Sequence, residues 1–262
     1  MKLAIFGAAG KMGRAVTRLA ALAGDVSIVG ALDAAGGSSL GRDVGEVAGI
    51  GPVGVAIGDD IGAGLLGADV VIEFSAPRAL PALARAARKA QVALVSCTTG
   101  LDPEAQSTLD EAAAHVPVLW APNMSIGVHV LKRLVTQAVA ALGAGWDVEI
   151  VETHHRAKVD APSGTALDLA NAVREVRAQS RLVHGRQGRV GPRAADEIGI
   201  HAVRGGGVVG DHSVHLLTEL ERIEISHRAM DRDVFAAGAL RAALFLAGKA
   251  PRRYSMADVV GQ

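Results

Sequence analysis

The chain has 262 residues, with 27 Lys+Arg balanced by 27 Asp+Glu and a pI near 7.1, so charge gives no case for a nucleic-acid partner. Half of the residues are hydrophobic, yet no unbroken apolar run approaches the roughly 18–20 residues of a membrane-spanning helix, and the expectation is a soluble protein with no membrane partner. The length suits two modest domains or one large one, composition excludes disorder of the whole chain, and 32 glycines against four Phe, two Trp and one Tyr point to tight turns and close backbone approach.

In chain order, Leu3 to Phe6 is a short apolar run ending at Gly7, and Lys11 to Ala23 carries Met12, Val16, Leu19, Ala20 and Ala23 at helical spacing. Val26 to Leu32, Ala68 to Phe74, Val92 to Ser96 and Val116 to Leu119 are further apolar runs. Helical patterns at Pro77 to Ala90 and Pro103 to His115 precede the last two, each with proline where a first turn tolerates its missing N–H. Strand then helix, repeated, predicts a doubly wound parallel sheet of Rossmann-like build. Between Ala34 and Gly67 the glycines are dense and periodicity is poor, so short strands or loops are expected there.

From Ser125, where a domain junction is placed, the texture changes. Val128 to Leu142 reads as a helix, Asp147 to Thr153 alternates as a half-buried strand, and a helix follows an irregular His/Lys segment from about Gly164 to Gln179. Ile198 to Val203, Val208 to Leu216 and Arg222 to His227 read as strands, which predicts a second, α+β domain with a mixed or antiparallel sheet. A last helix spans Asp231 to Ala247, and the tail Tyr254-Ser255-Met256 is too short to stand without a packing partner.

The single cysteine, Cys97, allows no intramolecular disulfide, and MKLAIFGAAG lacks the long apolar stretch of a secretory signal. A reducing, cytoplasmic setting is expected. One cysteine and no HExxH spacing among nine histidines give no metal site.

Gly7-Ala8-Ala9-Gly10-Lys11-Met12-Gly13 follows a predicted strand and opens a predicted helix, placing backbone N–H groups and a helix dipole where a pyrophosphate could lie. Asp33, 20 residues past Gly13 at the end of the second strand, could accept hydrogen bonds from an adenine ribose. Cys97-Thr98-Thr99 with Gly100, and Ala121-Pro122-Asn123-Met124, fall at carboxyl ends of predicted parallel strands, where open sheets bind ligands. Ordinary turns would produce the same pattern.

The densest chemistry lies in residues 152–165, where His154, His155, Arg156 and Lys158 follow a strand directly. Imidazole can donate a proton near neutrality, and Lys158 can fix a carboxylate or donate a proton itself. Ser163-Gly164-Thr165 opens a helix and forms a second anion cradle. Cations beside a helix N-terminus suit a small dicarboxylate; a solvated basic loop with a serine N-cap is the plainer alternative.

GAAGKMGR, CTTG, APNMS, E-x-HHRAKVDAPSGTA, the later RGGGVVGDH and the closing YSMADVV resemble the dihydrodipicolinate reductase family from residue 2 to about 260. The HHxxKxDAPSGTA stretch is the most specific to it. The resemblance implies an enzyme of the diaminopimelate route to lysine, reducing the dehydrated product of 4-hydroxy-tetrahydrodipicolinate to tetrahydrodipicolinate with NADH or NADPH. It implies His154 as proton donor or acceptor, His155 as a substrate contact, Lys158 as a proton donor, and Ser163, Gly164 and Thr165 as carboxylate ligands. Gly7 to Met12, Asp33, Cys97 to Thr99 and Ala121 to Met124 match cofactor positions. Residues 1–125, completed by 235–262, would form the dinucleotide-binding domain, and 126–234 a substrate-binding and oligomerisation domain whose sheets build a homotetramer.

Two departures bear on the cofactor. Ala34 stands where relatives often carry an arginine for the NADPH phosphate, and Cys97 where glycine is frequent. Lys11 offers a replacement charge, so NADH and NADPH both stay open, as does the choice between His154 and Lys158 as proton donor. Another two-domain dehydrogenase, acting on aspartate or homoserine, or a non-catalytic NAD(P) sensor would share the glycine loop but has no need of the His/Lys/Ser-Gly-Thr cluster.

Overall fold

The computed structural model describes residues 1–261, and the chain divides into two compact units, Met1–Ser125 together with Asp233 onward, and Ile126–Arg232. The amino-terminal stretch contains β1 (Lys2–Phe6), α1 (Lys11–Leu22), β2 (Ser27–Leu32), α2 (Val44–Ala48), β3 (Ile57–Gly58), α3 (Ile61–Gly64) and β4 (Val70–Glu73). A 3-10 turn at Pro77–Ala79 then leads into α4 (Leu80–Ala90), β5 (Ala93–Ser96), α5 (Pro103–Ala113) and β6 (Val118–Trp120). Every residue of β4 and β5 is buried, as a parallel sheet covered on both faces requires. Helix α4 buries Leu80, Leu83, Ala84 and Ala87, the three-and-four spacing of one face.

The stretch expected to hold only short strands or loops between Ala34 and Gly67 contains two short helices, α2 and α3, beside the two-residue β3. Both are started by an aspartate N-cap: Asp43 accepts from Gly45 and Glu46 N–H, and Asp60 from Ala63 N–H. Four- and five-residue helices rich in glycine and alanine have no room for a helical hydrophobic period.

The second unit contains α6 (Ile126–Leu142), β7 (Asp147–His154), α7 (Gly164–Val176), β8 (Arg181–His184), β9 (Glu197–Arg204), β10 (Gly210–Leu217) and β11 (Arg222–Ala229). Its sheet runs β11-β10-β7-β9-β8 and is mixed, with β10 antiparallel to both neighbours and β7, β9 and β8 mutually parallel. Leu131, Val135 and Val139 of α6 and Leu169 and Val173 of α7 pack on Val148, Ile150, Ile198, Ile200, Val214 and Leu216 of the sheet. Strand β8 has no counterpart among the strands expected from sequence, because an edge strand with no fully buried residue shows no alternation.

The chain then returns to the first unit as α8 (Asp233–Leu246), β12 (Arg253–Tyr254) and α9 (Met256–Val260). β12 adds parallel to β6, completing a seven-stranded sheet of order β12-β6-β5-β4-β1-β2-β3. The tail's packing partner is therefore the β6 edge. Among the described residues no helix is long and apolar enough to cross a membrane.

Candidate active site

In the first unit the glycine loop joins β1 to α1. Gly7 has φ +83°, and a Cβ there would lie 2.2 Å from the Phe74 carbonyl oxygen; one at Gly13 would lie 2.1 Å from the Gly7 oxygen. Only glycine permits this closeness. Gly10 caps α1 without a side-chain hydrogen bond, so the first-turn amides around Lys11 and Met12 are not taken up by an N-cap side chain and suit a phosphate. Asp33 Oδ2 accepts from Ala9 N–H at 2.7 Å and Oδ1 from Ala34 N–H at 2.8 Å. Each oxygen keeps a lone pair for a ribose hydroxyl. Ala8 is buried, while Gly10 and Lys11 are exposed. A dinucleotide fits these residues.

Beside this loop, Glu73 is fully buried, and among the described residues its hydrogen bonds come from no cation. It accepts from Ser75 N–H and Oγ at 2.6 Å, Ser96 Oγ at 2.8 Å and Thr98 Oγ1 at 2.5 Å. The Thr98 hydroxyl is therefore spent on the protein. Cys97, Thr98, Ala121 and Met124 are all buried, so these positions offer a ligand their backbone rather than their side chains. Thr99 and Pro122 are exposed and Asn123 is half-buried. Burial, and then the Glu73 carboxylate, push the Cys97 thiol well up, which removes it as a nucleophile.

In the second unit, strand register assembles the other cluster. Val148, Ile150, Glu152 and His154 alternate onto one face of β7; Arg204 pairs with His154 across β9, and His212 pairs with Glu152 across β10. The apolar core face thus turns polar at one end, beneath the N-terminus of α7. Glu152, fully buried, accepts from Arg204 Nη1 and Nη2 at 2.7 and 2.8 Å, from Ser163 N–H at 3.0 Å, and lies 2.5 Å from His154 Nδ1. Burial alone would raise its pKa, but the Arg204, His154 and Ser163 hydrogen bonds outweigh that and hold it below the usual carboxylate range. An ionised Glu152 only accepts, which places the His154 proton on Nδ1. Nε2 then lies beside Gly210, 3.0 Å from where a Cβ would stand.

Lys158 Nζ donates to both Asp160 oxygens at 2.7 and 2.8 Å, and this ammonium, before burial is counted, holds the Asp160 carboxyl below its ordinary range. Arg204 Nη2 also donates to the Asp160 carbonyl at 2.7 Å. His155 Nε2 lies 3.3 Å from Arg232 Nη2. Ser163 is the N-cap of α7, its Oγ accepting from Ala166 N–H; Gly164 is exposed and Thr165 half-buried. His154, Lys158 and Ser163 thus share one network through Glu152, Arg204 and Asp160. Of the residues around them, Arg204 and His212 are the two ends of the RGGGVVGDH segment, but a reading of the sequence gives them no role, and gives none to Glu152 and Asp160. The two-residue period running on from Val148-Ile150 into Glu152-His154, and from Leu216-Val214 into His212, is the signal that could have found two of them.

A seven-stranded parallel sheet with a glycine loop and a ribose-facing carboxylate, followed by a mixed-sheet unit with a proton-bearing cluster, defines a two-domain nicotinamide-dinucleotide-dependent oxidoreductase. Residues 1–124 match the family profile "Dihydrodipicolinate reductase, N-terminus" and residues 127–260 that of its C-terminus. The chain belongs to the dihydrodipicolinate reductase family and is an NAD(P)H-dependent enzyme of the diaminopimelate route to lysine. It is 47% identical over 263 residues to the 4-hydroxy-tetrahydrodipicolinate reductase of Anaeromyxobacter dehalogenans strain 2CP-C, covering 99% of this chain and 97% of the relative. The Myxococcus xanthus enzyme of the same name is 46% identical over 265 residues, with 100% and 98% covered. Among solved structures, a dipicolinate-bound dihydrodipicolinate reductase from Paenisporosarcina sp. TG-14 superposes with a TM-score of 0.79 at 23% identity, covering 97% of each chain.

Proposed function

We propose that the reaction is reduction of the dehydrated cyclic product of 4-hydroxy-tetrahydrodipicolinate to tetrahydrodipicolinate, with residues 1–125 and 235–262 binding the dinucleotide and 126–234 binding the substrate. The observation that carries this is the Glu152 hub, which ties His154, Arg204 and the α7 N-terminus into one buried network. When bound, the reduced dinucleotide supplies a hydride to the conjugated ring. The chain supplies charge compensation and a proton for the enamine carbon. The Gly164 and Thr165 amides and the Ser163 hydroxyl take one carboxylate, while Lys158 and His155 face the substrate's negative charge. Glu152, against Nδ1, orients the His154 ring and compensates the charge the ring gains with a second proton, which favours His154 as the group that delivers it. Lys158, clasped by Asp160, is the electrostatic partner.

The test is turnover on the product of dihydrodipicolinate synthase, followed by loss of reduced-nicotinamide absorbance. Lys158→Ala is expected to lower kcat by about 10²-fold or more with dinucleotide affinity nearly unchanged; undiminished turnover removes Lys158 from the catalytic set.

For the cofactor, the Asp33 carboxylate beside Ala34 favours a free ribose diol and repels a 2′-phosphate, against which the exposed Lys11 of the glycine loop offers a charge. NADH is therefore used at least as well as NADPH. A kcat/KM ratio favouring NADPH by more than about tenfold, a difference of about 1.4 kcal/mol in transition-state stabilisation, overturns this. A cytoplasmic homotetramer completes the proposal, and the sheet of the second unit, whose helices α6 and α7 pack on one face, has a second face on which subunits could meet.

A further inference from the structure

His212 takes no part in the chemistry above, yet it sits inside the cluster. It is 3% exposed, packs edge-on against His154 with ring centroids 5.2 Å apart, and its Nε2 lies 3.1 Å from Ser163 Oγ. Its Nδ1 is buried with no hydrogen-bond partner among the described residues. Burial first, and the neighbouring His154 next, push its pKa down to about 4, so near neutrality the ring carries a single N–H.

Where that one proton sits decides what Ser163 can do. A serine hydroxyl has one proton to give and two lone pairs to receive, and one lone pair already takes the Ala166 N–H. If the His212 proton were on Nδ1, a buried donor would be orphaned and the Ser163 proton would be consumed by Nε2. If it is on Nε2, the ring donates to Ser163, the unpartnered atom is a bare acceptor, and both serine lone pairs are filled. Orphaned buried donors are the rarer of the two defects in folded proteins.

We propose that His212 is a positioning residue: as the Nε2–H tautomer it donates to Ser163 Oγ and so commits the Ser163 O–H to donate to the substrate carboxylate. This rests on the reading that Ser163, Gly164 and Thr165 hold that carboxylate. His212 then sets the direction of a hydrogen bond without touching the substrate. It also makes the site selective for an acceptor such as a carboxylate over a donor-only group such as an ammonium presented at the same place.

The experiment measures pyridine-2,6-dicarboxylate binding to the full chain, saturated with reduced dinucleotide, for wild type, Ser163→Ala, His212→Leu, His212→Gln and the Ser163→Ala/His212→Leu pair, together with the His212 tautomer in the wild type by nitrogen-15 NMR. Ser163→Ala and His212→Leu are each expected to weaken binding by about 10–100-fold, the loss of one hydrogen bond to a charged group. His212→Gln, whose amide can donate from nearly the same place, retains most of the affinity. In the Ser163→Ala background His212→Leu adds less than about twofold, because it has nothing left to act through. If Ser163→Ala binds normally, the carboxylate reading itself fails. If Ser163→Ala weakens binding but His212→Leu does not, or if the two losses add in full, the role given to His212 is overturned while the carboxylate reading stands. A proton found on Nδ1 overturns it whatever the variants do, and this readout decides the matter should the leucine variant fail to fold.

Discussion

Glu152 shows how much of the site depends on one side chain. A buried carboxylate is costly unless its charge is met, and here two Arg204 N–H groups, the Ser163 amide and the His154 ring meet it. Glu152→Gln keeps the shape but leaves Arg204 without its counter-charge and His154 without compensation for a second proton. The expected outcome is a fall in kcat of about 10²-fold, a dinucleotide KM changed less than about twofold, and partial recovery in Glu152→Asp. Steady-state kinetics with each substrate varied in turn checks this, and an equal loss in dinucleotide affinity would show that the hub acts by general disruption. The two-residue period of the amino acids is enough to place Glu152 on the core face of its strand. Arg204 could not be found that way, since it lies 52 residues further along and meets Glu152 only because β9 pairs in parallel with β7; periodicity carries no information on which strands pair.

Among the elements, the long or strongly patterned ones were legible: β1, β2, β4, β5 and β6 stand in the sequence as apolar runs, and α1, α4, α5, α6 and α7 each bury a face that repeats at the expected spacing. What escaped was short or held by distant charges. Residues 185–196, between β8 and β9, contain no helix or strand, and two arginines tie them down. Arg186 donates to both oxygens of Glu149 and to Glu197, and Arg193 to Glu149 and Asp147. Gly199 makes room, since a Cβ there would lie 1.8 Å from Glu149 Oε2. Burial would raise the Glu149 pKa, but Arg186, His201 and Arg193 together bring it from 4.5 to about 2. A depressed carboxylate contributes stability that is full above its unfolded pKa and is lost as pH falls through its folded one. The window therefore runs from about 4.5 down to about 2, and the full shift is worth at most about 3 kcal/mol. Glu149→Gln is expected to lose up to that much at pH 7 and far less at pH 2.5. Denaturant midpoints at the two pH values measure it, and a deficit of equal size at both would show that the ion pairs contribute nothing specific.

At the scale of the whole molecule, the chain leaves the first unit after Ser125, builds the second without interruption, and returns at Asp233. The returning segment carries part of the first unit's core. Helix α8 buries Ala236, Gly238, Ala239, Leu240, Ala242, Ala243 and Leu246 and packs on α1 and on β4, β5 and β6. It approaches so closely that a Cβ at Gly238 would lie 1.8 Å from the Met124 oxygen. Beyond it, Tyr254, Met256 and Val259 are buried. An apolar helix and a tail in need of a partner could be read from composition, but not the sheet edge that receives them, because two-residue β12 is too short to show a period. Without α8, part of one face of the parallel sheet would meet water, a condition that such sheets do not tolerate. Each buried leucine lost forfeits about 2 kcal/mol from a total of about 5–15 kcal/mol for an ordinary domain. The Arg18–Asp233 pair, with both side chains well exposed, adds at most about 1 kcal/mol and does not change the balance. Residues 126–232 expressed alone are therefore expected to unfold in one cooperative transition, whereas residues 1–125 alone do not fold and acquire a transition only when 233–262 is joined to them by a short linker. Circular dichroism melts of the three fragments measure this, and a cooperative melt from 1–125 by itself would show that the returning segment is an accessory to the first unit and not part of its core.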